Sequence, residues 1–197
     1  MATPREWAAK GKVLRVTRWD EPVMRTPTRQ VTRFDDELHQ LVADMFATME
    51  ASDGVGLAAP QVGVDLAVFI YHCPDADDRL RHGVVCNATV TLPEGKDRRL
   101  DATEEGCLSW PGAYQTLARP DQAICEGVDE NGAPVRIEAT GLLARCVQHE
   151  TDHLNGTVFG DRLSNRARRL LDEQREQLAH LYPDDWPITP KGHRQSM

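Results

Sequence analysis

A chain of 197 residues with 40% hydrophobic and 27% charged content is long enough for one domain with a sizeable core, and its usage is that of a globular protein. The formal net charge of -8 argues against a dedicated nucleic-acid binder, because neutralising phosphates needs clustered Lys and Arg, so direct DNA binding is not expected. No stretch is apolar enough to span a bilayer, and Met1 to Lys12 carries Arg5, Lys10 and Lys12 but no apolar run of signal length, which predicts a soluble cytoplasmic protein with no membrane partner.

Val13 to Val16 reads as a short extended entry, followed by a segment punctuated by Pro22 and Pro27. Phe34, Leu38, Leu41, Val42, Met45, Phe46 and Met49 recur at three and four, which predicts a helix over about 33–50 with one core-facing stripe. Gly54 to Gln61 follows, with two glycines and small residues that let a ligand lie against the main chain and an amide donor in Gln61. It lacks the Gly-Lys-Ser/Thr ending of a phosphate loop. Leu66 to Tyr71 and Val84 to Leu92 read as strands, and Gln122 to Val128 with Val135 to Ala139 flank Glu130-Asn131-Gly132 as a hairpin, so a mostly antiparallel sheet is expected. Five cysteines, Cys73, Cys86, Cys107, Cys125 and Cys146, form an odd set without paired short spacings; reduced thiols fit better than a disulfide framework or a zinc ribbon.

A second helix is predicted over 141–154, with Thr140 as its cap and Asn155-Gly156 as its stop. Within it, Leu142, Cys146, His149 and His153 fall on one face, so the two imidazoles continue an apolar stripe. Buried imidazoles need partners, and two of them four residues apart can share one divalent ion. Glu150, one step around the helix, can reach a water at that ion without occupying a ligand position, the role of a general base. A surface helix with two solvated histidines is the bland alternative. A third ligand is missing from this stretch, and Cys107 in Glu104-Glu105-Gly106-Cys107-Leu108-Ser109 is the candidate. Taken alone, Cys107 reads better as a buried small hydrophobe, but Gly106 beside it points to a backbone shaped for close approach. From Ser164 a polar helix with Leu170, Leu171, Leu178 and Leu181 as apolar contacts runs to about His180, before Pro183, Pro187 and Pro190 end regular structure. Residues 1–182 are therefore expected to form a single catalytic domain and 183–197 a flexible C-terminal tail.

Three segments, Gly54 to Gln61, Glu105 to Ser109 and Gln148 to His153, together resemble the peptide deformylase family, in the family's order. The looser resemblance runs from about Val13 to Leu163. It implies an α+β fold, antiparallel strands packed around a central metal-bearing helix with a C-terminal helix. It implies Cys107, His149 and His153 as metal ligands, Glu150 as the acid/base, and Gln61 with the backbone N–H of Leu108 as donors to the oxyanion. The expected ion is Fe(2+), replaceable by Zn(2+), Ni(2+) or Co(2+). The implied substrates are N-formyl-methionyl peptides and nascent chains, from whose initiator methionine formate would be released.

Such a substrate needs an apolar slot. Helical phase puts Leu142 and Cys146 on the His149 face as part of its wall, and the main chain at Val55, Gly56 and Gly106 can hold the peptide as an added strand. Trp110 is bulkier than the family pattern leads one to expect, and that pattern often has an arginine where Tyr114 or its neighbours lie. Arg119 reads as a solvated loop residue or as a charge for the peptide, and Asp152 as exposed or as a partner of a group behind the metal. Arg166, Arg168 and Arg169 could give weak ribosome association, but Asp172, Glu173 and Glu176 nearly balance them, which favours a solvated helix face. Two other readings belong to different classes: a zinc metallopeptidase using His149-Glu150-x-x-His153, and a catalytically silent formyl-peptide-binding protein.

Overall fold

The computed structural model describes residues 2–192. After a short helix α1 (Pro4–Ala8), the chain crosses helix α2 (Asp36–Ala51) at Gly11, where a Cβ would lie 2.0 Å from the Ala43 carbonyl oxygen, so only glycine fits. The extended segment that follows pairs with side chains instead of a sheet. Lys12 N donates to Asp44 Oδ1 and Leu14 N to Thr48 Oγ1, each at 2.9 Å, which explains two polar residues on the buried face of α2. The helix starts at Asp36 behind an Asp35 cap, so Phe34 lies before it and is 36% exposed, outside the stripe assigned to it from spacing.

Five strands, β1 (Gly56–Ala58), β2 (Val68–Pro74), β3 (Leu80–Thr91), β6 (Gln122–Val128) and β7 (Pro134–Thr140), form an antiparallel sheet in the order β1-β2-β3-β6-β7. Val68 to Tyr71 is apolar without alternation because both faces of β2 are covered. Val68 and Ile70 pack with Val42, Met45, Phe46 and Met49 of α2. Phe69, Tyr71 and Cys73 pack with Leu143, Ala144 and Val147 of helix α3 (Gly141–Leu154) on the other side. The hairpin turn between β6 and β7 is built by Asp129, whose Oδ1 accepts from Asn131 N and Ala133 N, with Gly132 at φ 80°.

A separate two-stranded sheet, β4 (Leu100–Gly106) with β5 (Tyr114–Pro120), carries the Cys107 loop at one end. Helix α4 (Asn165–Leu178) is capped by Ser164 and buries Leu171 in a third core cluster with Met24, Trp110, Val158 and Phe159. Of its other expected apolar contacts, Leu170 is 43% exposed. Trp186 is buried, and its carbonyl accepts from Val16 N at 2.9 Å, so this part of the stretch expected as a flexible tail packs on the domain. His193 and the rest of 193–197 lie outside the described residues. No helix among the described residues is long and apolar enough to cross a membrane.

Candidate active site

Helix α3 is buried without interruption from Leu143 to Leu154, which is why it can hold side chains rigidly at the centre of the molecule. Its bounds match the expectation, but its start is not capped by a side chain. Thr140 Oγ1 accepts from Ala76 N across the β2–β3 turn, and Gly141 takes the left-handed φ of 57° that the entry requires. At the other end Asn155 and Gly156 stop the helix, as their residue types indicate.

Cys107, His149 and His153 meet, their ligand atoms all within 4.8 Å of one another. The two Nε2 atoms lie 3.1 Å apart and Cys107 Sγ is 3.4 Å from His153 Nε2. A tetrahedral ion with bonds of about 2.0 Å to nitrogen and 2.3 Å to sulfur needs edges of about 3.3 Å and 3.5 Å, so these two separations suit a shared metal. Burial and the neighbouring His149 and Arg119 hold His153 well below the usual imidazole range, in the neutral form that ligates. Burial opposes charge on His149 too, but Cys107 and Glu105 outweigh it and raise that imidazole.

Behind Cys107, His149 and His153 lies a buried ionic group of which only Asp152, in one of its two readings, was expected. His149 Nδ1 donates to Glu105 Oε1 at 2.7 Å, which leaves Nε2 free for a metal. Glu105 also accepts two bonds from Arg119, both 2.7 Å, and one from Arg145 at 2.8 Å. Burial works against this carboxylate, but Arg119 and His149 prevail and hold it well below the usual range. Arg119 continues to Asp152 at 3.0 Å, and Arg162 closes on Asp152 from the far side. Arg119 is therefore a buried strand residue, not a solvated loop arginine, and Asp152 is buried too, on the same helix as His149 and His153. The spacing of Arg145 four residues before His149 was the available signal for one member of the group; the others meet only through the fold.

Glu150 is 3% exposed, and burial pushes its carboxyl up to about 7. Its Oε2 has no hydrogen-bond partner among the described residues, so the group is free to exchange a proton with a guest. Gly56 exists for it: a Cβ there would lie 2.5 Å from Glu150 Oε1 and 2.7 Å from Cys146 Sγ. Gln61, fully buried, is locked by Ala58 N donating to its Oε1 at 2.9 Å, so its amide nitrogen points at Cys107 Sγ, 3.6 Å away. These groups open on one cavity of about 290 Å³ whose lining includes Val55, Gly56, Gly106, Leu108, Leu142 and Cys146, all six singled out from the sequence.

A family model for polypeptide deformylase matches residues 13–169 of this chain. The chain belongs to the peptide deformylase family. Peptide deformylase 1 of Streptomyces avermitilis is 53% identical over 164 residues, which cover 82% of this chain and 75% of that protein. The enzyme of Acidothermus cellulolyticus is 48% identical over 150 residues, 76% of this chain and 78% of its own. Among solved structures, peptide deformylase from Legionella pneumophila superposes with a TM-score of 0.76 at 35% identity, covering 86% of this chain and 96% of that one. The Synechococcus elongatus enzyme, solved in complex with actinonin, gives 0.72 at 40% identity, covering 85% and 91%.

The two positions expected to depart from the family pattern have different fates. Trp110 is fully buried, stacked on Trp19 at 4.3 Å with Arg168 over both rings, and edge-on to Phe159. It supports the site from beneath and does not line the cavity. Arg168 is thereby taken out of the solvated face assigned to it, while Arg166 and Arg169 stay exposed. Tyr114, in contrast, is 54% exposed at the cavity mouth, its ring against Gly106.

Proposed function

We propose that this chain is a metal-dependent hydrolase that removes the N-formyl group from the initiator methionine of newly made proteins and releases formate. The observation that carries the reading is the cluster of Cys107, His149 and His153 beside a cavity lined by Cys107, His149, the fixed Gln61 and a buried Glu150 whose Oε2 has no hydrogen-bond partner among the described residues. Cys107, His149 and His153 would hold the ion, and Glu105 would orient His149. Bound there, a divalent ion supplies Lewis acidity and lowers the pKa of water towards about 7.

The chain's own groups then have separate tasks. Glu150 takes a proton from the attacking water as its oxygen adds to the formyl carbon. The Gln61 amide and the Leu108 N–H donate to the formyl oxygen as it gains charge, and one such donor is worth about 2.7–4 kcal/mol. Glu150 returns the proton to the departing nitrogen as the C–N bond breaks, leaving formate and a free amino terminus. Leu142 and Cys146 wall the methionine slot, and Val55 with Gly56 at the start of β1, facing Gly106 of β4 across the cavity, gives main-chain groups for the peptide.

One thiolate with two imidazoles suits a softer ion than three imidazoles would, which supports Fe(2+), with Zn(2+), Ni(2+) or Co(2+) as substitutes. The family's reaction belongs to the cytoplasm, where reduced Cys107 is expected, and weak ribosome association would bring the enzyme to nascent chains. The peptidase reading would make Cys107 dispensable, which its position against His153 does not favour. Formate release from formyl-Met-Ala-Ser by anaerobically purified Fe(2+) or Ni(2+) protein, with Glu150→Gln as control, tests the proposal. Release that depends on both metal and Glu150 supports it; none from folded, metallated protein refutes it.

A further inference from the structure

The stretch matched by the family model ends at residue 169, yet Tyr182, Trp186 and Lys191 line the active-site cavity. The segment that carries them is anchored to the start of the chain. Arg15 Nε donates to the Asp184 carbonyl, Arg18 Nη2 to the Pro183 carbonyl and Val16 N to the Trp186 carbonyl, each at 2.9 Å. Gly192 N donates to the Leu181 carbonyl at 2.8 Å, so 181–192 closes into a compact surface loop. Trp186 is buried and meets the Tyr182 ring edge-on at 5.3 Å. Tyr182 in turn rests on Gly112, where a Cβ would come within 2.9 Å of its ring. Gly112 lies in the loop that carries Cys107, so the aromatic pair is seated on the site itself.

The mouth beside it is apolar. Val55, Tyr114 and Leu142 are large hydrophobic side chains left exposed, and all three border this cavity. A soluble protein that gathers such side chains at one opening has a binding surface there. We propose that residues 181–192 form a specificity wall for the substrate chain beyond its formyl-methionine, with Tyr182, backed by Trp186, taking an apolar or aromatic side chain and Lys191 at the edge setting a charge preference. The identity of the substrate rests on the deformylase reading. A peptide laid along the β1 edge as a strand turns successive side chains to opposite faces, so the wall meets alternate positions only.

The test uses the full-length, nickel-loaded protein with Tyr182→Ala and Lys191→Glu, and formyl-Met-Ala and formyl-Met-Ala-X peptides with X as Ala, Phe, Asp or Lys, plus the series with X moved one residue earlier. At one of the two positions the unaltered protein should favour Phe over Ala. Tyr182→Ala should cut that ratio of kcat/KM about tenfold, through KM. Lys191 is exposed, so Lys191→Glu keeps the fold and should shift the Asp-to-Lys ratio several-fold towards Lys. Ratios unchanged in both variants, or an equal fall for every peptide, overturn the wall. Calorimetric titration of the same peptides separates the two ideas. Affinity ratios that the variants abolish sustain the wall even if no formate forms, which would sink deformylation alone; affinity ratios equal in all three proteins sink the wall alone.

Discussion

Two features of its surroundings define what Glu150 can do. Desolvation raises its carboxyl to about 7, and Gly56 leaves it the space to approach a guest. Replacing Glu150 by Gln preserves size and leaves the ligand set alone, so metal content should be unchanged while kcat falls by about 10²–10⁴-fold. Rates near normal in that variant would remove Glu150 from the chemistry. Gly56→Ala puts a methyl group into its carboxylate, an overpacking that costs about 1–3 kcal/mol, and activity should drop together with Tm. Full activity in the Gly56→Ala variant would mean that Glu150 can work from another position. Glu105→Gln removes the charge that Arg119, Arg145 and His149 share. Breaking such a buried group costs about 3–5 kcal/mol, and the loss of the His149 partner should weaken metal binding by about 10–100-fold, read by competition with a metal-binding dye.

At the level of the elements, the central sheet is covered on both sides, by α2 and by α3, and its thiols report this. Cys86 on the α2 side and Cys125 on the α3 side are pushed up to about 12 by burial, so almost no thiolate exists below pH 10. Both should resist alkylation in native protein at pH 8 and react once guanidinium unfolds it; rapid native labelling of either would contradict the packing. The elements legible in the sequence were those with a period or a turn signal. Helix α3 stands out through Leu142, Cys146, His149 and His153, and the β6–β7 hairpin through Asn131-Gly132. Strand β4 was missed because most of Leu100 to Glu104 faces solvent and no apolar alternation marks it. Strand β1 has three residues inside a glycine-rich segment, too few for any pattern. His149 and His153 were named from their spacing and Leu142 and Cys146 from helical phase, while the roles of Cys107 and Leu108 came with the family resemblance. The Glu105–Arg119–Asp152 group was not named, because it joins two strands and a helix that only the tertiary fold brings together.

For the whole molecule, an ion held by Cys107, His149 and His153 would add to the buried ionic group that already ties the small sheet to α3: Cys107 follows the two-stranded sheet, and both histidines sit on α3. A metal held by both should brace the small sheet against the core. Stripping it with a chelator is expected to lower Tm by about 5–10 °C, with recovery on adding nickel, since ligation of the native state alone adds to stability. Identical melting of the two forms in calorimetry would show that the small sheet is fixed without the ion.

The bonds between residues 15–18 and 183–186 span 165 and 169 positions in two of their cases, close to the length of the chain. Contacts so remote form late, after the loops between them have closed. Synthesis therefore delivers the ligand triad well before the segment that encloses its cavity. A copy halted before residue 183 would hold Cys107, His149, Glu150 and His153 while lacking one side of the entrance, so with the proposed wall the preference beyond formyl-methionine would arrive after the catalytic groups.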